Sequence, residues 1–194
     1  GSDSSKGKIL IFDVEANNMA TELKPLSDLS GSSYFGRGMS IAGDYLFVTA
    51  EGNKPTELNN TGSIFIYEKD ANGKFSGNPS KLIHGTHDTS IEPLTLQNIG
   101  RYGVIAAEGD YFVTTAKWFP SGGGTREGAV LFKKDANDDW NRECYLSVGY
   151  GTAGTLYNYP GDVVIKNSQV IATGHGGAGL NIFNLSMSSL IKTS

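Results

Sequence analysis

"FGRGMSIAGDYLFVTAEG", residues 35–52, is the stretch whose reading decides the fold. Polarity alternates on both sides of Gly43-Asp44, a pair suited to a two-residue turn, so the stretch reads as a β-hairpin. Recurrence gives it weight. The design returns at "YGVIAAEGDYFVTTAK", residues 102–117, with Gly109-Asp110 at the corner. A more worn copy is "YPGDVVIKNSQVIATG", residues 159–174, with Asn167-Ser168 at the corner and Tyr159 in the place of Phe35.

A second element alternates with the first: "GKILIFDVEAN" from Gly7, "GSIFIYEKDANGKF" from Gly62, "GAVLFKKDANDDW" from Gly128 and "GLNIFNLS" from Gly179. In each, a glycine admits a β-branched and aromatic run that ends in a polar turn, which is a strand signal. Phe12, Tyr67, Phe132 and Phe183 fall at equivalent places. A weaker apolar strand follows the polar turn in "TELKPLSDL", "NPSKLIHG" and "NRECYLSVG", completing four strands per repeat. No 3.6-residue periodicity is sustained, so helices are expected to be nearly absent.

Bulk composition agrees with an all-β chain. The 194 residues suffice for a sizeable core, 26 glycines against 6 prolines point to many tight turns, and 38% hydrophobic content is that of a folded protein. The formal charge of −4, with no basic cluster to track phosphates, argues against nucleic acid as a partner. No run reaches the ~20 apolar residues of a membrane helix, so no membrane insertion is expected. Cys144 is the single cysteine and has no CxxC or Cys/His spacing around it, so it reads as a small buried apolar residue. Gly1-Ser2 reads as the remnant of a cleaved tag, with residues 1–5 a disordered start.

Four antiparallel strands repeated radially make a β-propeller. The expected fold is therefore all-β, a propeller-type repeat of four-stranded antiparallel blades: leading strands in residues 6–33, then blades over 34–83, 100–149 and 157–194. A β-sandwich is the alternative, though it does not call for sequence-similar units. The repeats resemble the FG-GAP repeats of integrin α-subunit propellers. Phe35-Gly36 stands for the FG, "LFVTAEG" for the strand ending in GAP, and "GSIFIYEKD" for the strand that follows. The resemblance covers nearly the whole chain. It implies that Phe35 packs between blades, that Gly36 lets the backbone pass near the axis, and that the protein is extracellular or at the cell surface, in adhesion or recognition.

The family's calcium loops are not carried over, because "IAGDYL", "AEGDYF" and "IKNSQV" are too short and poor in carboxylates to supply six to eight oxygens. One other turn has calcium-loop spacing: in "DANDDWNRE", residues 135–143, Asp135, Asn137, Asp139 and Glu143 stand at positions 1, 3, 5 and 9. Trp140 occupies the place of the bend-permitting glycine, so a solvated hairpin turn is the favoured reading over calcium, and no other cofactor is expected.

The histidines are His84, His87 and His175. His84 and His87, beside Asp88, read as loop residues because Gly85 and the strand context argue against a helical metal pair. His175 opens "GHGGAG", a turn that either lines a binding rim or joins two strands. No GxSxG, HExxH or Walker lysine is present. "SGGGT", residues 121–125, lacks a lysine and precedes a strand. Sequons occur at Asn59-Asn60-Thr61 and Asn184-Leu185-Ser186.

The leading functional expectation is a non-catalytic module that binds a protein or glycan through loops at residues 51–61, 84–100 and 117–127. Trp118, Phe119, Tyr157 and His175 are its candidate contacts, with inter-blade packing the competing role for the aromatics. A carbohydrate-active enzyme using Asp88, Glu92 and Glu127 is the second reading, and a purely structural repeat the third. Three blades and leading strands do not close a ring of about 4–8 blades. The chain is therefore expected to be a homo-oligomer or to join the remaining blades of a larger chain.

Overall fold

The computed structural model describes residues 6–12, 20–25, 29, 33–54, 61–75, 77–85, 95–119, 126–146, 160–174 and 180–185. Its strands form four sheets. The first pairs β1 (Ile9–Phe12) with β2 (Ala20–Leu23). The second runs β3 (Met39–Ala42), β4 (Tyr45–Ala50), β5 (Ser63–Glu68), β6 (Lys81–His84) in chain order. The third contains β7 (Thr95–Gln97), β8 (Ile105–Glu108), β9 (Tyr111–Phe119), β10 (Arg126–Lys134) and β11 (Trp140–Leu146). There β8 and β7 share one edge of β9, and β10 takes the other. The fourth runs β12 (Pro160–Lys166), β13 (Gln169–Gly174), β14 (Leu180–Asn184). All pairings between these strands are antiparallel. Among the described residues there is no α-helix, only a 3-10 turn at Arg101–Gly103.

The three hairpin corners reach one register through two turn types. Gly43 and Gly109 both take φ +56°, the first position of a II′ turn, whereas Asn167 and Ser168 both lie at positive φ, as a I′ turn requires. A backbone N–H at the end of the strand after the corner's second strand then donates to the second corner residue. Lys69 donates to Asp44 at 2.9 Å, Lys134 to Asp110 at 2.8 Å and Leu185 to Ser168 at 2.8 Å. In the same register Tyr67 sits opposite Leu46, Phe132 opposite Phe112 and Phe183 opposite Val170. Local turn chemistry thus reproduces one register three times.

Packing follows from alternation along strands that are buried on both faces, which explains the near-continuous apolar run in β4. Leu46, Val48 and Ala50 join Ile9, Leu23, Phe35, Phe65 and Tyr67 between the first and second sheets. Phe47 points the other way, to Ile64, Ile66, Phe112, Val130, Phe132 and Trp140 between the second and third. There Phe112 stacks on Phe132 at 4.6 Å and Phe47 meets Trp140 edge-on at 5.0 Å. Val113, Leu131, Leu146, Val163, Val170 and Ala172 fill the space between the third and fourth. Each such large side chain contributes about 1.5–3 kcal/mol by leaving water. The strands that lead into the three hairpin corners run beside one another, β3 against β8 and β8 against β12.

Glycines set how closely the sheets approach. Phe35 is buried edge-on to Phe65 at 5.3 Å, and its N–H donates to the Lys6 carbonyl at 3.0 Å. One sheet later, Ile99 N–H donates to Thr61 at 3.0 Å, and Gly36 and Gly100 donate equivalently to Thr49 and Thr115. The counterpart of Phe35-Gly36 is therefore Ile99-Gly100, not the Tyr102-Gly103 pair that opens the sequence repeat; Arg101 and Tyr102 are an insertion within the 3-10 turn. A Cβ on Gly36 would stand 2.9 Å from the Ile9 side chain, so that glycine makes room for the preceding sheet. The tightest approach between these neighbouring strands belongs to Gly38, where a Cβ would fall 1.8 Å from the Gly103 carbonyl oxygen.

Strand directions sort the connections onto two rims. The corners at 43–44, 109–110 and 167–168 and the turns at 69–80 and 135–139 leave one end of the sheets. β4, β6, β9, β11 and β13 end at the other, where β5, β7, β10, β12 and β14 begin, so the longer connections of the sequence join strand ends there.

Candidate functional site

On the long-connection rim, side chains distant in sequence converge where β4 and β9 end and β8 and β10 begin. Arg37 Nη1 donates to Glu51 Oε1 at 2.5 Å, and the other Glu51 oxygen accepts from the Tyr102 backbone N–H. Arg101 donates to Glu127 Oε1 and to the Tyr102 hydroxyl, the latter at 2.6 Å. Lys117 Nζ reaches the same Glu127 oxygen at 2.9 Å. The two guanidiniums also stack on phenol rings. Arg37 lies 5.9 Å from the Tyr34 ring centre and 5.7 Å from that of Tyr102, and Arg101 lies 4.6 Å from that of Tyr102. The result is a row: Tyr34, Arg37, Tyr102, Arg101.

Backbone conformation singles out the two tyrosines. Tyr34 takes φ +52° and Tyr102 φ +60°, a region that costs an L-residue about 1–2 kcal/mol. The third sheet's counterpart of Tyr34 is Asn98 at φ +50°, a residue that tolerates this conformation. Tyr34 accepts the strain and leaves its phenol 45% exposed on the rim. Glu51 holds the Tyr102 turn through the backbone N–H just described.

Three cations face two carboxylates here, so this cluster carries one excess positive charge on a chain of net −4. Glu127 is nearly enclosed, its side chain 4% exposed, and no described residue hydrogen-bonds its Oε2. Burial pushes its carboxyl above the ordinary value, with the Arg101 guanidinium pulling the other way. Paired aromatic faces and cationic forks suit planar or hydroxyl-rich ligands with some negative charge.

A second polar chain lies on the same rim. Asn53 Nδ2 donates to Ser63 Oγ at 2.9 Å, and Ser63 Oγ lies 2.9 Å from His84 Nδ1. His84, expected in a loop, is the last residue of β6, opposite Ser63. Burial lowers the pKa of its imidazole, favouring the neutral form. Ser63 is fully buried, which leaves an incoming carbonyl no approach, so this pair ties the end of the sheet to residue 53.

The acidic turn with calcium-loop spacing sits on the opposite rim. Asp135 Oδ1 accepts the backbone N–H groups of Asn137 and Asp139 at 2.8 and 3.0 Å, and its Oδ2 accepts from Asn141 Nδ2 at 2.9 Å. These amides hold the Asp135 carboxyl below the ordinary carboxylate value. Asp139 pairs with Lys81 of the second sheet at 2.8 Å. Glu143 is exposed, at the register shift of β11 where Leu131 pairs with Cys144 and Phe132 with Arg142. The four are not drawn together; the turn clasps two sheets. Among the described residues no group of three metal-binding side chains occurs.

Of the candidate ligand contacts, Trp118 and Phe119 end β9, with their backbone paired to Leu96 and Thr95. Tyr157 and His175 lie outside the described residues, as do Asp88 and Glu92. Cys144 is buried, and burial pushes its thiol up to about 11. Sequence reading missed Tyr34, Arg37, Glu51, Arg101 and Tyr102. The available signal was the arginine beside glycine in both "FGRG" and "IGRYG".

Comparison with protein-family models, with curated proteins and with solved structures returns no match to this chain.

Proposed function

We propose that the protein is a non-catalytic recognition module, with its sheets as successive blades of an FG-GAP-like β-propeller and its ligand, a protein or glycan, bound on the long-connection rim. One observation carries this: the long connections join strand ends at the same end of the sheets, where the strained tyrosines and the two arginines form an ordered row. Left-handed backbone in two tyrosines of one cluster, residues that do not favour it, is a pointer to function. Support for the blade reading comes from the repeated corner hydrogen bonds, the side-by-side strands that lead into the corners and the burial of Phe35 between sheets. An extracellular or cell-surface setting follows from the resemblance. No helix among the described residues is long and apolar enough to cross a membrane.

The test is a screen of the labelled protein against a glycan array and a panel of extracellular proteins, repeated with Tyr34→Asn combined with Arg37→Ala. The asparagine is what the third sheet already carries at that position. Binding that weakens at least tenfold in the double variant supports the rim, whereas undiminished binding places recognition elsewhere.

A further inference from the structure

The stack of sheets ends in two uncovered apolar faces, and its own repeat indicates what fits them. In the second and third sheets, Phe65 and Tyr67 of β5 and Val130 and Phe132 of β10 point back to the preceding sheet and are buried against it. The equivalent residues of β1 are Leu10 and Phe12, which are 44% and 61% exposed. Met39 and Ile41 of β3, also exposed, extend this leading side; their counterparts Ile105 and Ala107 in β8 pack on the cluster shared with the second sheet.

At the other end the pattern is complementary. Ile64 and Ile66 of β5, and Ala129 and Leu131 of β10, face onward and are buried by the next sheet. Their equivalents in β14 are Leu180 and Ile182, at 63% and 56% exposure, and Val164 of β12 joins them. Among the described residues, all the exposed large hydrophobics except Tyr34 belong to one of these two faces. Clustered apolar exposure marks an interaction site in a way that scattered exposure does not.

We propose that a second copy of this chain covers these faces, the trailing face of one copy (Val164, Leu180, Ile182) seated on the leading face of the other (Leu10, Phe12, Met39, Ile41). The two faces are the two halves of a joint that the chain already makes internally between its successive sheets. A second copy supplies both halves in the required orientation. The contact is heterologous, so it closes a ring if the rotation permits and otherwise propagates. It depends on the sheet repeat alone, and it stands or falls separately from ligand binding on the rim.

The test is absolute mass by light scattering during size exclusion, over a range of protein concentrations, for the wild type and for Phe12→Asp and Ile182→Asp. Both side chains are more than half exposed, so folding should persist; circular dichroism checks this, and Met39→Ser with Leu180→Ser serves as a milder pair. The wild type is expected to associate, and each variant alone to dissociate at concentrations at least tenfold higher than the wild type does. Mixing the two variants should restore a dimer, because one retains an intact trailing face and the other an intact leading face. A wild type that stays monomeric throughout overturns the proposal. So does association lost in only one variant, or a mixture that stays dissociated.

Discussion

The two rims are built from the ends of the same strands, yet different interactions hold them. On the tight-turn rim each turn is held from within by partners close in sequence, Asp70 accepting from the N–H groups of Asn72 and Lys74 and Asp135 from those of Asn137 and Asp139, while Lys81–Asp139 and Lys166–Glu108 tie neighbouring sheets. On the long-connection rim the partners are distant: Arg37 with Glu51, Glu51 with Tyr102, Arg101 with Glu127. The turns of the first rim can form as each hairpin forms, and its inter-sheet ion pairs come later. The second exists only once the sheets have stacked, so its geometry reports on tertiary structure.

The contrast breaks most visibly at glycines. Gly38→Ala places a methyl group against the Gly103 backbone, and the sheets must part to admit it; a loss of about 3 kcal/mol is expected from urea unfolding. Gly43→Ala meets nothing within 4 Å, so only its φ of +56° is penalised, at about 1–2 kcal/mol. Equal losses at the two positions would mean that the close approach of β3 and β8 does not constrain the fold.

Glu127→Gln tests whether the long-connection rim is kept at a cost. A carboxyl whose folded pKa is raised favours folding below its unfolded pKa of about 4.3, and that advantage is lost as pH rises through the folded value. At pH 7 the amide should therefore be the more stable form, by about 1 kcal/mol or less, since Arg101 and Lys117 lose a charged partner. A clear destabilisation in the same urea experiment would show that the ion pairs outweigh the burial.

The smallest effect is local. Asp70 and Asp135 have carboxyls held below the ordinary value, chiefly by backbone N–H groups, so their contribution is present above about pH 3.9 and lost as pH falls through their folded values. Amide-exchange protection factors at Asn72, Lys74, Asn137 and Asp139 should fall over that range, with the core strands still protected. Unchanged protection at these four amides would refute the role given to the two carboxylates.

The hairpin corners were legible because glycine, asparagine and aspartate carry their turn preferences with them, and the strands because alternation and β-branched runs are local signals. The second copy of the Phe35-Gly36 motif was misaligned for the opposite reason. Tyr102-Gly103 looks like Phe35-Gly36, while the hydrogen bond to Thr61 that identifies Ile99 spans distant residues. The Asp135 turn reads from sequence as a hairpin turn, while the part its carboxylate plays, accepting from the backbone amides around it, is visible only in the structure.

By itself, then, the sequence determined the all-β character, the repeated hairpin register and the tight corners, because each rests on interactions within a few residues. Only the tertiary structure decided which glycines touch the neighbouring sheet, which repeat positions are buried and which lie open at the ends, and that Tyr34, Arg37, Tyr102 and Arg101 form one row. Those depend on where a neighbouring sheet lies, and burial and long-range pairing are properties of the assembled stack rather than of any one strand.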